Sequence, residues 1–256
     1  MAEGQRLDVE MVERGMARSR SLARKIVEDG LVSVNGRTAT KASQVVPDGA
    51  EITMDEHVQW ASRAAFKLLG ALDSLDWGTV PQRVLDAGAS TGGFTEVLLS
   101  RGAVQVYAVD VGHGQLVDTL REDPRVVVRE GLNLRDLRMA DVDLRPVDLV
   151  VCDVSFISLT LLLEPLFSVV APGGKALLMV KPQFEVGRKA LTSSGVVREE
   201  EARLTAVDAV VAKAVELGWT ATWREASQLP GPAGNIEYFV LFERADEGSE
   251  SVGRRG

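Results

Sequence analysis

The chain lacks what would tie it to an oxidising compartment or a membrane. Its one cysteine, Cys152, excludes a disulfide framework within the chain and points to a reducing, cytoplasmic setting. No run is long and apolar enough to cross a bilayer: the most apolar region, 147–170, is broken by Asp148, Asp153, Glu164 and Pro165. The opening Met-Ala-Glu-Gly-Gln-Arg has no apolar segment of a secretory signal. A long amphipathic segment suited to membrane lysis is also missing. Positive charge is in deficit, 29 Lys and Arg against 37 Asp and Glu, for a net charge of −8. That counts against nucleic acid as a partner of the chain as a whole and leaves the matter to local clusters. There is no internal repeat. What is present is the composition of a globular protein, 45% hydrophobic and 26% charged over 256 residues, enough for one large domain and a small one.

The remaining sequence is organised around the stretch from Val84 to Leu99. Val84-Leu85 reads as a buried strand ended by Asp86. Gly88, Gly92 and Gly93 form a turn where backbone can approach a ligand, and Phe94, Val97 and Leu98 recur at helical spacing. A strand, a glycine turn and a helix N-terminus make a nucleotide-sized cradle. The spacing is Gly-x-x-x-Gly-Gly, not the Gly-x-Gly-x-x-Gly of dinucleotide sites, which disfavours a nicotinamide oxidoreductase. Asp86 suits a ligand with a cationic or hydrogen-donating end, such as the methionine part of S-adenosylmethionine. An ordinary tight turn would use the same glycines. The next strand, Val104-Gln-Val-Tyr-Ala-Val-Asp110, ends in an acid 24 residues after Asp86. An acid there can accept from both ribose hydroxyls, although a helix cap at Asp110 would also explain it.

Residues 6–54 read as a small αβ unit. Asp8 can cap a first helix, Ser19 or Ser21 opens a second that Gly30 stops, and Asn35-Gly36 is a strong hairpin signal. Val45, Val46 and Ile52 supply a further pair of strands around Pro47-Asp48-Gly49. From Arg14 to Lys41 the bases Arg14, Arg18, Arg20, Arg24, Lys25, Arg37 and Lys41 face only Glu28 and Asp29, a local charge of +5. Such a patch can track phosphates, and a solvated helix face would carry the same charges. Arg6-Leu-Asp8, Gly15-x-Ala-x-Ser-Arg20, the helix end Ile26 to Gly30 and Val32-x-Val-Asn-Gly36 resemble the S4 RNA-binding domain. The resemblance implies that this unit, Arg6 included, binds structured RNA.

Beyond a polar connection, strands and helices alternate. Helices are expected at 62–75, 92–101, 114–121, 158–170 and 198–217; strands at 83–87, 104–110, 125–129, 147–153, 175–181, 219–226 and 236–243. This is a mostly parallel sheet with helices on both faces, its last strand antiparallel. The boundaries are 1–59 for the small domain, 60–244 for the α/β domain and 245–256 for a disordered tail.

Ligands bind beyond the C-terminal ends of such strands. There stand Cys152-Asp153-Val-Ser-Phe156 and Met179-Val-Lys181-Pro-Gln-Phe-Glu185. A lysine ending the apolar run Ala176-Leu-Leu-Met-Val180 is costly unless paired or functional. Asp153 is its natural partner, in a structural ion pair or a catalytic one. Cys152 reads as core.

Lys67, Asp153, Lys181 and Glu237 resemble in order and position the Lys-Asp-Lys-Glu tetrad of FtsJ-like ribose 2′-O-methyltransferases. With the S4-like unit in front, residues 6–243 resemble the TlyA family, once labelled hemolysins. The blocks that carry this are Ser62-Arg-Ala-Ala-Phe-Lys-Leu68, Asp86-Ala-Gly-Ala-Ser-Thr-Gly-Gly-Phe-Thr95, Asp110-Val-Gly-His-Gly-Gln-Leu116, Asp153-Val-Ser-Phe-Ile157 and Lys181-Pro-Gln-Phe-Glu185. The resemblance implies a Rossmann-like class I methyltransferase that uses S-adenosylmethionine and no metal. It would act on cytidine 2′-hydroxyls of ribosomal RNA, with sensitivity to cyclic-peptide ribosome antibiotics as a consequence; a monomer is expected, and the sequence leaves the oligomeric state open. It implies cofactor contacts from Asp86, Gly88, Ser90, Thr91, Gly92, Gly93, Phe94, Asp110, Asn133 and Asp153. Arg188 and Lys189, in the loop 182–197, are placed for an RNA-side lid, and Arg63 is a further expected RNA contact. Lys181 would take the hydroxyl proton, Asp153 orient it and Glu237 hold Lys67. Base methylation is disfavoured because the Asn/Asp-Pro-Pro-Tyr/Phe motif of amine methylation is absent.

Overall fold

In the computed structural model, which describes residues 4–17, 20–28, 30–54, 60–187, 190–231 and 233–244, the chain divides into two units, Met1–Arg63 and Ala64–Gly256. Arg18, Ser19, Arg188, Lys189, the side chain of Lys25 and the expected tail 245–256 lie outside the described residues.

The first unit runs β1 (Gln5–Arg6), α1 (Leu7–Glu13), α2 (Arg20–Glu28), β2 (Val32–Val34), β3 (Arg37–Thr38), β4 (Val45–Val46) and β5 (Ile52–Met54). Leu7 and Met11 of α1 pack on Ala23, Ile26 and Val27 of α2. Asn35 and Gly36 both take positive φ, 49° and 74°, the backbone that a two-residue hairpin between β2 and β3 demands. Two expectations are corrected. Asp8 does not cap α1, because the helix begins one residue earlier at Leu7 and its cap position is Arg6. Asp8 is instead fully buried in the first turn, with Arg6 Nε donating to Oδ1 at 2.9 Å and Arg20 Nη2 to Oδ2 at 3.2 Å. The Arg6 guanidinium, helped by Arg20, holds the Asp8 carboxyl down to about 2. Nor do β4 and β5 pair with each other. β4 pairs with β1 and β5 with β2. Asn35 draws β5 to the hairpin: its N–H donates to Glu51 O at 2.8 Å, and its Oδ1 accepts from Glu51 N at 2.9 Å.

The second unit opens with α3 (Ala64–Ser74), β6 (Arg83–Ala87), α4 (Gly93–Ser100), β7 (Gln105–Asp110), α5 (Asp118–Arg121), β8 (Val126–Glu130) and β9 (Val147–Cys152). It continues with α6 (Leu163–Ser168), β10 (Val170–Val180), α7 (Pro182–Glu185), α8 (Glu200–Glu216), β11 (Trp219–Ala226) and β12 (Tyr238–Arg244). The strands form one seven-stranded sheet in the order β11-β12-β10-β9-β6-β7-β8. β10, β9, β6, β7 and β8 are parallel, and β12 runs antiparallel between β10 and β11. The class is the Rossmann-like doubly wound sheet. Leu149, Val150 and Val151 of β9 are fully buried, as strands covered on both faces require. Burying each such side chain contributes on the order of 1.5–3 kcal/mol.

Three boundaries differ from expectation. The helix expected over 158–170 is a 3-10 turn, Leu159–Leu161, followed by the short α6. Glu185 fixes the turn by accepting from Ser158 Oγ at 2.6 Å and Leu159 N at 2.7 Å. β10 starts at Val170 rather than 175, because Pro172-Gly173-Gly174 lies within an irregularity between two registers against β9 and does not end the strand. α5 covers only the last turn of the helix expected over 114–121, and the residues before it form a loop. Strand order reverses between β6 and β9, which opens a crevice at their C-terminal ends.

Candidate active site

A cleft of about 450 Å³ occupies this crevice. Of the residues expected at a cofactor, Gly88, Ser90, Asp110, Asn133 and Asp153 line it. Its size lies within the range of small-molecule sites. Asp110 ends β7 and ties two loops together: Ser90 N donates to Oδ2 at 2.9 Å and Gly112 N to Oδ1 at 2.7 Å. Each oxygen keeps a lone pair for a ligand hydroxyl. Gly88 sits at φ 89°, and a Cβ there would stand 2.7 Å from the Asp153 carbonyl oxygen, so the β6 and β9 ends meet only because it is glycine. Asn133 lines the wall and caps the turn Leu134–Asp136, accepting from Arg135 N at 3.1 Å.

Asp86 lies beneath the cleft, fully buried. Thr95 Oγ1 donates to its Oδ2 at 2.6 Å, while Oδ1 has no partner. Burial pushes its carboxyl up to about 7 against the pull of the Thr95 hydrogen bond, with the nearby Asp153 charge adding to the rise. An orphaned buried acceptor fits a donor or cation from a ligand. Gly92 is the cap of α4, and Gly93 is its buried first residue. Thr91 O accepts from Val117 N at 3.3 Å, so Thr91 anchors the loop before α5. Phe94 is in the core, its ring 6.1 Å from that of Phe239.

The four residues of the expected tetrad form two pairs, the first buried and the second at the cleft wall. Lys67 Nζ on α3 donates to Glu237 Oε2 at 2.6 Å, with Lys67 7% and Glu237 1% exposed. Lys181, 8% exposed at the end of β10, places Nζ 2.6 Å from Asp153 Oδ1 in an ion pair. That approach is off the hydrogen-bonding angle, and the formal hydrogen bond from Nζ goes to Ser155 Oγ at 2.9 Å. Topology explains the gathering: β9 and β10 are parallel neighbours, and antiparallel β12 begins opposite the end of β10, with Tyr238 facing Val180. Gln183 connects the two pairs along the chain, its Nε2 donating to Glu237 Oε1 at 3.2 Å. Cys152 is fully buried, and burial pushes its thiol up, as for a core side chain.

Several lining residues have no signal of their own in the sequence. Phe156 is 92% exposed at a strained φ of 65°, its ring 5.3 Å from Phe184. Gln115 accepts from Ser90 Oγ at 3.1 Å across the cleft mouth. Ser155 is the hydrogen-bond partner of Lys181. All three lie in loops without periodicity, although Gln115 falls within the family-like block 110–116 and Ser155 and Phe156 within 153–157. In the first unit Arg6 and Arg20 are paired with Asp8, and Arg14 with Glu10 and the Ala50 carbonyl. Arg24, Arg37 and Lys41 are exposed and Arg63 is half-buried. Among the described residues no group of acids, histidines and cysteines could hold a metal, and no helix is long and apolar enough to cross a membrane.

The FtsJ-like methyltransferase family matches residues 60–244 and the S4 domain residues 5–52. The 16S/23S rRNA (cytidine-2′-O)-methyltransferase TlyA of Mycobacterium tuberculosis is 48% identical over 242 residues, 94% of this chain and 90% of that protein. Hemolysin A of Brachyspira hyodysenteriae is 36% identical over 237 residues, 93% of this chain and 99% of that protein. A solved structure from Streptococcus thermophilus, provisionally described as a hemolysin, is similar with a TM-score of 0.75 at 37% identity. It covers 96% of this chain and 90% of its own.

Proposed function

We propose, since the chain belongs to the TlyA family of FtsJ-like rRNA methyltransferases with an S4 domain, that it methylates the 2′-hydroxyl of cytidines in ribosomal RNA with S-adenosylmethionine as donor. The observation that carries this reading is the pair Lys181–Asp153, 2.6 Å apart where two parallel strands end beside the cleft. Bound in the cleft, S-adenosylmethionine would supply an electrophilic methyl on sulfur, the sulfur keeping the electron pair as the methyl leaves.

The chain's own residues do the rest. Asp110 would accept from the cofactor's ribose hydroxyls, and the unpartnered Asp86 Oδ1 would answer its cationic amino-acid end. Phe156, exposed and backed by Phe184, offers a stacking face for a cytosine lifted out of its helix. Lys181, as the neutral amine, would take the proton from O2′ while the O2′–C bond forms. Asp153 steadies it. Glu237 neutralises Lys67, whose charge would otherwise stand uncompensated in a buried site. Holding acceptor and donor in line accounts for much of the rate. Residues 1–59 would bind the RNA and residues 60–244 carry out the transfer. The reading implies a cytoplasmic, monomeric enzyme whose loss alters sensitivity to cyclic-peptide ribosome antibiotics.

Lys181→Arg tests it. Arginine keeps an ion pair with Asp153 but cannot give up a proton at working pH. Single-turnover methylation should vanish while RNA and cofactor still bind. A near-normal rate would leave Lys181 as a structural partner of Asp153.

A further inference from the structure

Lys181 Nζ has two polar neighbours, an ion-pair partner that belongs to the four-residue set and a hydrogen-bond acceptor that does not. Asp153 Oδ1 stands at 2.6 Å and Ser155 Oγ at 2.9 Å. Asp153 and Ser155 both line the cleft, while Lys181 is buried at 8% exposure. The backbone that carries Ser155 is anchored on both sides. Upstream, Asp153 N donates to Ala87 O at 3.0 Å. Downstream, the Phe156 ring rests on Phe184, and Glu185 ties down Ser158 Oγ at 2.6 Å and Leu159 N at 2.7 Å. The strained backbone of Phe156, at φ 65°, is the local cost of this arrangement.

A neutral lysine amine carries two N–H donors and one lone pair, arranged tetrahedrally. With one acceptor in reach, the amine turns about Cε–Nζ and the lone pair shares two positions with the second hydrogen. With Ser155 Oγ taking one N–H, the Asp153 carboxylate, 2.6 Å away though off the hydrogen-bonding angle, draws the second hydrogen to its side by charge and repels the lone pair, which is left in the third direction. We infer that Ser155 is a positioning residue for methyl transfer: with Asp153 it fixes the Lys181 amine so that its lone pair is left for the ribose hydroxyl. This rests on Lys181 being the proton acceptor. In the step served, the O2′–H bond breaks and its proton passes to the Nζ lone pair. The oxygen's electron pair forms the O2′–C bond, and the departing thioether sulfur keeps the pair of the broken S–C bond. Ser155 gains and loses no proton.

The test uses the full chain with Ser155→Ala, Ser155→Thr and Lys181→Ala in single-turnover methylation of ribosomal RNA. Cofactor affinity is measured by calorimetry, and the order parameter of the Lys181 side-chain terminus by NMR. Ser155 is exposed, so the extra methyl of threonine has room. Ser155→Ala should lower the saturated rate about tenfold, the value of one modest hydrogen bond. It should loosen the Lys181 terminus and leave cofactor and RNA affinities within about twofold. Ser155→Thr should restore the rate. A full rate in Ser155→Ala, or a loss confined to affinity, with Lys181→Ala inactive, overturns the role of Ser155 alone. An active Lys181→Ala removes the reading on which it rests.

Discussion

Removing Glu237 is the most informative single perturbation of the second unit. Lys67 Nζ and Glu237 Oε2 are 2.6 Å apart, with side chains 8% and 2% exposed. At an effective dielectric of about 20 that separation corresponds to roughly 6 kcal/mol of gross attraction, most of it offsetting the desolvation of the two ions. Glu237→Leu takes away the attraction and leaves the desolvated ammonium. It also strands the Gln183 Nε2 donor, whose Oε1 is already buried without a partner. Breaking such a pair costs about 3–5 kcal/mol. Lys67→Met should cost a similar amount by stranding the carboxylate. The double variant should recover most of the stability, to within about 2 kcal/mol of the parent, because an apolar pair of similar volume replaces a buried ion pair at little cost. Urea unfolding followed by tryptophan fluorescence reports this well, since Trp77, Trp219 and Trp223 lie in the second unit and only Trp60 in the first. Methyl transfer should stay lost in the double variant. Single variants costing under about 1 kcal/mol would refute the burial argument. A double variant that methylates normally would refute the catalytic role of the pair.

Two further outcomes follow from the same geometry. Asp86, held near 7 by burial, keeps a proton in the folded chain that the unfolded chain gives up near its ordinary 3.8. Its contribution is therefore full below about pH 4 and drains away as pH rises to about 7, on the order of 4 kcal/mol at most. Urea unfolding of the cofactor-free chain across this window should show the decline, and Asp86→Asn should flatten it; an unchanged slope would mean the carboxyl is already ionised. Asp8 and Glu130, both held near 2 by arginine and backbone hydrogen bonds, add stability as pH rises through their ordinary range of about 4–5, so the Asp86 decline is read above about pH 5. In the first unit, exposed Arg24, Arg37 and Lys41 should carry more RNA affinity than Arg20, which is committed to Asp8. Neutralising the three should weaken RNA binding and reduce the slope of log affinity against log salt by about 0.7–0.9 for each phosphate no longer neutralised. A slope that stays the same makes them a solvated face.

The parallel sheet was legible because its strands are short valine-rich runs with no other way to be buried. The glycine turn and the acids at the strand ends were legible because their positions are local to those strands. What was hidden depends on tertiary partners. Leu159–Leu163 has the apolar content of a helix, yet Glu185, 22 or more residues away, turns its start into a 3-10 cap. Pro172-Gly173-Gly174 has the composition of a turn, and only the neighbouring β9 makes it part of a strand. Asp8 has the composition of a cap, and Arg6 and Arg20 make it a buried anion instead. Phe94 stands in the glycine motif, yet helix geometry turns it to Phe239 and away from the cleft. Lys67 and Glu237 were visible only through resemblance, since they come from α3 and from the approach to β12, with no strand end to mark them. Lys181 and Asp153 were legible as partners because both stand at the ends of apolar strands, and the structure pairs them at 2.6 Å, as it does Lys67 and Glu237.

The central claim is that the acceptor is a ribose hydroxyl. Methyl-labelled S-adenosylmethionine is incubated with the chain and ribosomal RNA, as naked RNA and as assembled subunits. The RNA is then cleaved with alkali, which spares a linkage whose 2′-oxygen is methylated. The label should be found in alkali-resistant dinucleotides with cytidine on the 5′ side, and digestion to nucleosides should yield 2′-O-methylcytidine. Label on a base within alkali-labile nucleotides, or no label in any RNA presented, would contradict the account.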